Sequence, residues 1–381
     1  MTFAQLSMIC LVAILGPLLA FPRGWHLPVV LGELIAGIAL GRTGFHYLHA
    51  VNTTFAFLAD IGFALVMFVA GTHVPVRDPA IRPALKAGVV RAIVVALVAG
   101  VLGTAIAYAA DVHHAPLFAV LIASSSAALI LPVIDSLGLK GDGVVRLLPQ
   151  IAIADTLCIV ALPLAIDPKH ALRAAGGAAS VIGAAVVVFL LLRAAEKAGL
   201  QKKLHVVSEE RRFAAELRLQ LVVLFALAAL AKSTHVSIML AGFAFGLGVA
   251  AIGEPRRLSK QLFALTEGFL GPLFFVWLGA ELNLRELGAH PSMIVLGVAL
   301  GAAATLAHIV PRLLGQAMPY GLLATAQLGV PVAAATIGSQ LNVLQPGEAS
   351  ALMLGALISI AVAVAGGGLV SKLDPPLQAH A

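Results

Sequence analysis

The sequence predicts an all-α membrane protein with many spanning helices, and its composition and apolar stretches both indicate this fold class. Of the 381 residues, 60% are apolar and only 11% are charged, and the mean hydropathy is +1.02, far from the balance of a soluble domain. Charges lie in short patches between apolar stretches, and a helix needs about 20 residues to cross the hydrocarbon core. The alternating ten-residue segments of an outer-membrane barrel are missing from the sequence.

Apolar windows between charged or Pro/Gly-rich breaks predict about thirteen transmembrane helices, so the two termini face opposite sides. The predicted spans are 3–21, 27–44, 55–75, 87–110, 115–136, 146–166, 171–193, 217–231, 236–252, 262–283, 292–315, 320–340 and 349–370.

The distribution of Lys and Arg predicts the orientation. Of the 24 such residues, 18 lie at the helix ends of one side, five lie at the other side, and Arg91 lies within a span. Short cytoplasmic loops carry the excess of positive charge, so we expect the N-terminus outside and the C-terminus in the cytoplasm of a bacterial inner-membrane protein. The net charge of +6 therefore reflects topology, and we expect membrane lipid and no nucleic acid as a partner.

Two halves of the chain resemble each other. The pattern A-G-x-A-x-G at 36–41 recurs at 241–246, an offset of 205, and Gly71 and Gly279 occupy similar places in helices 3 and 10, an offset of 208. Equivalent helices are seven apart, and an odd number of crossings reverses direction, so the repeats are predicted to be inverted. We expect one membrane domain: repeat one at about 1–166, a linking helix at 171–193, a cytoplasmic loop at 194–216, repeat two at 217–370 and a tail at 371–381.

Two of the predicted helices carry polar or helix-breaking runs at membrane depth. Helix 5 contains Ser124, Ser125 and Ser126, and helix 12 contains a run that includes Gln327, Gly329 and Pro331. Unwound backbone at this depth is tolerated where it is buried in protein or lines a cavity. We therefore predict two interrupted helices that cross near the midplane, the arrangement in which many transporters hold ions.

Helix 6 follows the first interrupted helix and has one carboxylate, Asp155, in its apolar middle. An ionised Asp at the bilayer centre costs about 2.5–3.5 kcal/mol, so it persists when it is paired, hydrated or functional. A proton and a cation would compete for this carboxylate, which is the chemistry of antiport. The structural alternative is an Asp that is capped by the serine hydroxyls or bonded to Gln150 and serves helix packing.

Several of these stretches together resemble the bacterial monovalent cation:proton antiporters of the Kef-type and sodium/hydrogen exchanger superfamily. The matching stretches are G-E-L-I-A-G-I-A-L-G at 32–41, L-V-M-F-V-A-G at 65–71, A-S-S-S-A at 123–127, Asp155 itself, and F-F-V-W-L-G at 274–279. The resemblance implies a dimeric, two-domain antiporter with an elevator-like movement, in which Asp155 matches the carrier aspartate. Relatives often have a polar residue where this chain has Ala154, and a basic residue midway along helix 11 where this chain has the run 302–304.

Other polar residues are weaker candidates. Thr156 and the three serines could offer oxygen ligands to a hard cation, although hydroxyls also bond back to their own helix. His308, Glu281 and Asp60 are accessory candidates, and the structural reading is favoured for the two carboxylates because they lie near helix ends. We expect no cofactor.

Two other functions remain open. Inverted repeats with crossed helices also suit a sodium-coupled symporter of an organic anion. An intramembrane enzyme has less support, because the sequence contains no H-E-x-x-H, no G-x-S-x-G and no paired intramembrane aspartates.

Overall fold

The computed structural model describes residues 1–21, 29–72, 81–166, 171–199, 214–234, 236–253 and 256–373. Within these ranges the chain is helical and contains no strand, which confirms the predicted fold class. Most of the predicted loop at 194–216 and of the tail at 371–381 lies outside the described residues.

Eighteen helices are described in these ranges. They are α1 Phe3–Ala13, α2 Leu15–Ala20, α3 Val29–Leu40, α4 Thr53–Thr72, α5 Ile81–Ala109, α6 Ala115–Ala123, α7 Ala127–Ser136, α8 Asp142–Ile166, α9 Ala171–Lys197, α10 Ala215–Ser233, α11 Ile238–Ile252, α12 Arg256–Leu265, α13 Gly271–Glu281, α14 Arg285–Ala289, α15 Pro291–Ile309, α16 Met318–Leu323, α17 Gly329–Gln340 and α18 Glu348–Leu373.

Eight segments of the described chain are long and apolar enough to cross a membrane, and α3 and α11 are shorter apolar helices. Three of the eight combine successive helices: α1 with α2 forms one segment, another extends from Gln261 to Ala289, and a third joins α15 to the 3₁₀-helix Val310–Leu314. The total of thirteen crossings stays a prediction.

The two predicted interruptions are present. In the first, α6 ends at Ala123, Ser124 takes an extended conformation (φ −69°, ψ 149°), and α7 begins at Ala127. In the second, α16 ends at Leu323 and α17 begins at Gly329.

The second interruption begins earlier than the sequence pattern predicts. Gly329 and Pro331 lie in the first turn of α17 and not in the unwound segment. Proline is tolerated there because the first backbone N–H groups of a helix have no intrahelical acceptor. Two irregularities were not predicted, namely the break near Ile14 and a π-helical turn at Thr266–Leu270.

The glycines of the two repeats form equivalent contacts. Gly37 of α3 packs on Gly279 of α13, and Gly246 of α11 packs on Gly71 of α4. A Cβ at Gly37 would lie 2.9 Å from the Cα of Gly279, and a Cβ at Gly71 would lie 2.9 Å from the Cα of Gly246. The A-G-x-A-x-G helix of repeat one, α3, packs on α13 of repeat two, and the A-G-x-A-x-G helix of repeat two, α11, packs on α4 of repeat one. Helices α4 and α13 are equivalent in the predicted repeat, so the two contacts agree with it.

Candidate functional site

The two unwound segments cross and are joined by two hydrogen bonds, and a third joins the second segment to the end of α6. The backbone N–H of Ser126 donates to the carbonyl of Ala326 over 2.8 Å, and the hydroxyl of Ser125 donates to the carbonyl of Ala324 over 2.7 Å. The side-chain amide of Gln327 donates to the carbonyl of Ile122 over 3.3 Å. The crossing, defined here as 124–126 with 324–328, is therefore held by side chains and backbone of both segments.

Helix α18 is hydrogen-bonded to the crossing through Ser359. The backbone N–H of Gln327 donates to the hydroxyl oxygen of Ser359 over 3.2 Å, and that hydroxyl donates to the carbonyl of Ala356 over 2.7 Å. The side chain of Ser359 is fully buried. An unwound segment leaves backbone groups without helical partners, so Ser359 satisfies one that burial would otherwise make costly.

Asp155 lies in the middle of α8 and reaches the start of the half-helix α7. Its Oδ2 accepts the backbone N–H of Ala127, the first residue of α7, over 2.9 Å. Asp155 is buried, with 5% of its surface exposed. The N-terminus of a helix carries a partial positive charge that favours a nearby carboxylate.

Asp155 has no basic partner among the residues that the structure describes. Four ion pairs are present in this part of the chain and none includes it. The predicted alternative partner Gln150 is not bonded to it: its Oε1 accepts from Gln316 over 3.1 Å, and its Nε2 has no hydrogen-bond partner among the described residues. The backbone amide of Ala127 provides the hydrogen bond to Asp155 in place of the serine hydroxyls.

The hydroxyls of Ser124, Ser125 and Thr156 donate their protons to backbone carbonyls. Ser124 donates to Leu121 over 2.8 Å, and Thr156 donates to Ala152 over 2.7 Å. Each hydroxyl oxygen keeps lone pairs that can accept a proton donor or bind a cation. The structure thus brings the three serines to the crossing, whereas Thr156 follows Asp155 on α8, where successive side chains point in different directions.

The accessory candidates have other partners. Asp60 pairs with Lys232 over 2.7 Å, and Glu281 lies 3.6 Å from Arg42. His308 is buried, and its Nδ1 lies 2.9 Å from the carbonyl of Ala304. Within the described residues its Nε2 has no hydrogen-bond partner.

Two cavities of about 390 and 400 Å³ lie along α17, on either side of Trp277. The first is lined by Phe63, by the Asp60–Lys232 pair and by Val332 of α17. The second has Arg42 and Glu281 in its lining. Val332 lines both cavities and is one helical turn from Gly329, the first residue of α17 after the crossing.

Sequence reasoning missed two contributors to this site. The backbone amide of Ala127 has no signature in the sequence, because any residue would supply it. Ser359 is a single hydroxyl in the apolar helix α18, and its polarity at membrane depth was the one available signal.

Two crossed, interrupted helices beside a buried carboxylate define a membrane transporter of the interrupted-helix class. The family model "Sodium/hydrogen exchanger, transmembrane" matches residues 10–372, and the chain belongs to this family, as the sequence resemblance predicted. It is accordingly a multi-pass membrane protein of a transporter family.

Relatives of the chain carry consistent names. It is 22% identical to the "Putative Na(+)/H(+) antiporter YjbQ" of Bacillus subtilis, over 93% of this chain and 61% of that protein. It is 25% identical to the "Probable Na(+)/H(+) antiporter 3" of Methanocaldococcus jannaschii, over 84% of this chain and 85% of that protein. The chain therefore spans about three fifths of the Bacillus relative.

The fold is shared with a solved antiporter. The structure of the sodium proton antiporter MjNhaP1 from Methanocaldococcus jannaschii at pH 8 superposes with a TM-score of 0.68 at 18% identity, over 97% of this chain and 98% of that chain. A second structure of MjNhaP1, an electron microscopy map, superposes with a TM-score of 0.69 at 17% identity, over 100% and 99% of the two chains.

Proposed function

We propose that this chain exchanges a monovalent cation, Na⁺ or K⁺, for protons across the bacterial inner membrane, with Asp155 as the carrier of both. The observation that carries the proposal is the isolation of this carboxylate at the crossing. It accepts one backbone N–H and has no ion-pair partner among the described residues. A negative charge at this depth needs a compensating positive charge, and a proton or a cation supplies it in turn.

Oxygen atoms suited to a cation lie at the crossing, next to Ala127, whose backbone N–H is bonded to Asp155. Hard monovalent cations prefer carboxylate, hydroxyl and carbonyl oxygens. The crossing supplies serine hydroxyls and the carbonyls of Ala324 and Ala326, and Thr156 adds another hydroxyl on α8. Both cavities reach Val332, one helical turn from the crossing, and we propose that the ion approaches the site from this direction. Alternating access requires the site to open to the other side in turn.

Three finer features belong to the same proposal. The names of the relatives, both Na⁺/H⁺ antiporters, favour Na⁺ over K⁺. We further propose a homodimer, which native mass spectrometry of the purified protein would establish. The distribution of Lys and Arg supports an outside N-terminus and a cytoplasmic C-terminus, which reporter fusions at the C-terminus would test.

The experiment is proton flux in proteoliposomes after addition of Na⁺, K⁺ or Li⁺. Asp155→Asn keeps the size of the side chain and removes the exchangeable charge, so cation-driven flux should fall to the level of empty vesicles. Asp142→Asn is the matched control, because it makes the same change on the same helix α8 at a side chain that is 95% exposed; its flux should equal that of wild type.

A binding measurement separates a lost carrier from a misfolded protein. A ligand that binds the folded state raises the unfolding temperature, so Na⁺ should stabilise wild type and Asp142→Asn but not Asp155→Asn. Unchanged cation-driven flux in Asp155→Asn would remove Asp155 from the mechanism.

A further inference from the structure

A histidine–carboxylate contact, which becomes an ion pair when the histidine is protonated, lies at the end of the interrupted helices that is remote from the crossing. His114 immediately precedes α6, and its Nδ1 lies 2.7 Å from Oε1 of Glu348, the first residue of α18. The side chain of Glu348 is fully buried, whereas that of His114 is 18% exposed. A buried carboxylate is costly without partners, so the pairing is strongly favoured.

The second oxygen of the carboxylate is also bonded, because Oε2 of Glu348 accepts the backbone N–H of Gln345 over 2.8 Å. Protonation turns the ring of His114 into an imidazolium, and a charged donor forms a stronger hydrogen bond to a carboxylate than a neutral one does. The contact with Glu348 is therefore strongest when His114 is protonated.

The pair joins the start of α6 to the start of α18. His114 immediately precedes α6, the first half of one interrupted helix, and Gln345, which is bonded to Glu348, lies in the connection that follows α17, the second half of the other. At the opposite end of α6, Ile122 accepts from Gln327. Helix α6 is thus tied at both ends to the second interrupted helix and its flanking segments.

We propose that the His114–Glu348 bridge is a positioning device for the crossing, and that protonation of His114 tightens it. The proposal rests on the proposed function for its transport readout, and it adds a pH sensor that is separate from Asp155. His114 does not touch the cation; it acts through α6 on the oxygens that do.

The direction of the pH effect follows from the hydrogen bonds. The bond to Glu348 raises the pKa of His114 above its usual value, and this outweighs the opposing effect of burial. A raised pKa in the folded protein means that the bridge contributes fully below the unfolded value of about 6.5, and that this contribution is lost as the pH rises through the raised pKa. The bridge is therefore tight in acid and loose in alkali.

Other titratable side chains at this end of the described structure are exposed and form no ion pair with His114. Asp111 and His113 are exposed on the same connection, and Tyr108 is exposed at the end of α5, which packs against α6. Helix α15 also packs against α6. The exposed His290 immediately precedes α15, and its side chain lies near Gly347, the residue before Glu348. The described part of α8 that follows Asp155 carries no charged side chain. Glu348 is the one charged partner of His114 among these groups.

Two substitutions separate charge from structure. His114→Lys keeps a positive charge over the whole pH range of interest, and His114→Gln never has one. His113→Gln is the matched control, since it makes the same change at the exposed neighbour. Glu348→Gln removes the other partner.

The first measurement is the unfolding temperature of the purified protein between pH 5.5 and pH 9, which does not depend on transport. Wild type and His113→Gln should be more stable than His114→Gln in acid, and this advantage should vanish in alkali. His114→Lys should keep its advantage throughout. Parallel curves for wild type and His114→Gln would overturn the proposal.

The second measurement is the apparent KM for Na⁺ in proteoliposomes over the same pH range. Relative to wild type, His114→Gln should raise KM several-fold in acid and converge with it in alkali, with little change in kcat, whereas His114→Lys should restore KM in acid. Competition by protons at Asp155 is common to all variants and cancels in these ratios. If the stability curves differ and KM does not, the bridge is only structural and the proposal fails. If wild type shows no exchange, the proposed function fails, and the stability measurement still tests the pH-dependent bridge.

Discussion

Asp155 and Ala127 show how a single contact defines the candidate site. The sequence identifies the carboxylate because charge is rare in an apolar helix, and the structure adds that the start of α7 donates a backbone N–H to it. A backbone donor has no residue preference, so neither composition nor spacing could have indicated Ala127. The serines at 124–126 were predicted from their polarity, but their acceptors belong to elements up to 200 residues away in the chain and depend on the tertiary fold.

At the residue scale, Ser125→Ala should weaken the crossing. The substitution removes the hydroxyl that donates to Ala324 and leaves that buried carbonyl with one partner fewer, at a cost of about 1 kcal/mol in the free energy of unfolding. Urea or thermal unfolding in detergent would measure it, together with the KM for Na⁺, which should rise.

Ser180→Ala is the control for this prediction. Its hydroxyl donates to Gly177 within its own helix α9, so the loss should be within about 0.5 kcal/mol. Equal effects of the two substitutions would show that the bond across the crossing carries no special weight.

At the scale of the elements, the helix interruptions illustrate both the reach and the limit of sequence patterns. Polar and helix-breaking runs correctly indicated where α6–α7 and α16–α17 unwind, because hydroxyls and prolines compete with the helical hydrogen bonds. The second break nevertheless begins at Ala324, before the polar run. Its extent is determined by partners outside the segment, namely the backbone of Ser126 and the hydroxyl of Ser359.

Helix packing makes a second prediction at this scale. Gly279→Ala would place a methyl group 2.9 Å from the Cα of Gly37, where backbone atoms must shift, and the expected loss of stability is about 1–3 kcal/mol. The unfolding temperature of the purified Gly279→Ala protein should therefore be lower than that of wild type.

Gly100→Ala provides the matched control in α5, because a methyl group there meets nothing within 4 Å. Alanine is favoured over glycine in a helix by about 0.5–1 kcal/mol, so this variant should be as stable as wild type or slightly more stable. A Gly279→Ala protein that unfolds at the temperature of Gly100→Ala would contradict the close contact.

At the scale of the whole molecule, the proposed cycle has an electrical consequence. One carboxylate that carries either one proton or one monovalent cation moves no net charge per exchange. We therefore expect the rate of Na⁺/H⁺ exchange in proteoliposomes to be insensitive to an imposed membrane potential. A potential set by K⁺ and valinomycin, with Li⁺ or Na⁺ as the transported ion, would test this; a current across the membrane or a potential-dependent rate would show that further charges take part.

Residue types and their spacing were enough to predict that the chain spans the membrane as helices, that two of these helices are interrupted, and that Asp155 is the carboxylate to consider. Each of these follows from local physics: the free energy of placing apolar, polar or charged groups in hydrocarbon depends on residue type and on the 20-residue length of a span. The tertiary structure alone decided which backbone groups meet at the crossing, where the second break begins, and that His114 pairs with Glu348 across 234 residues. These contacts join distant parts of the chain, and their partners are often backbone atoms that every residue possesses, so no local pattern could have specified them.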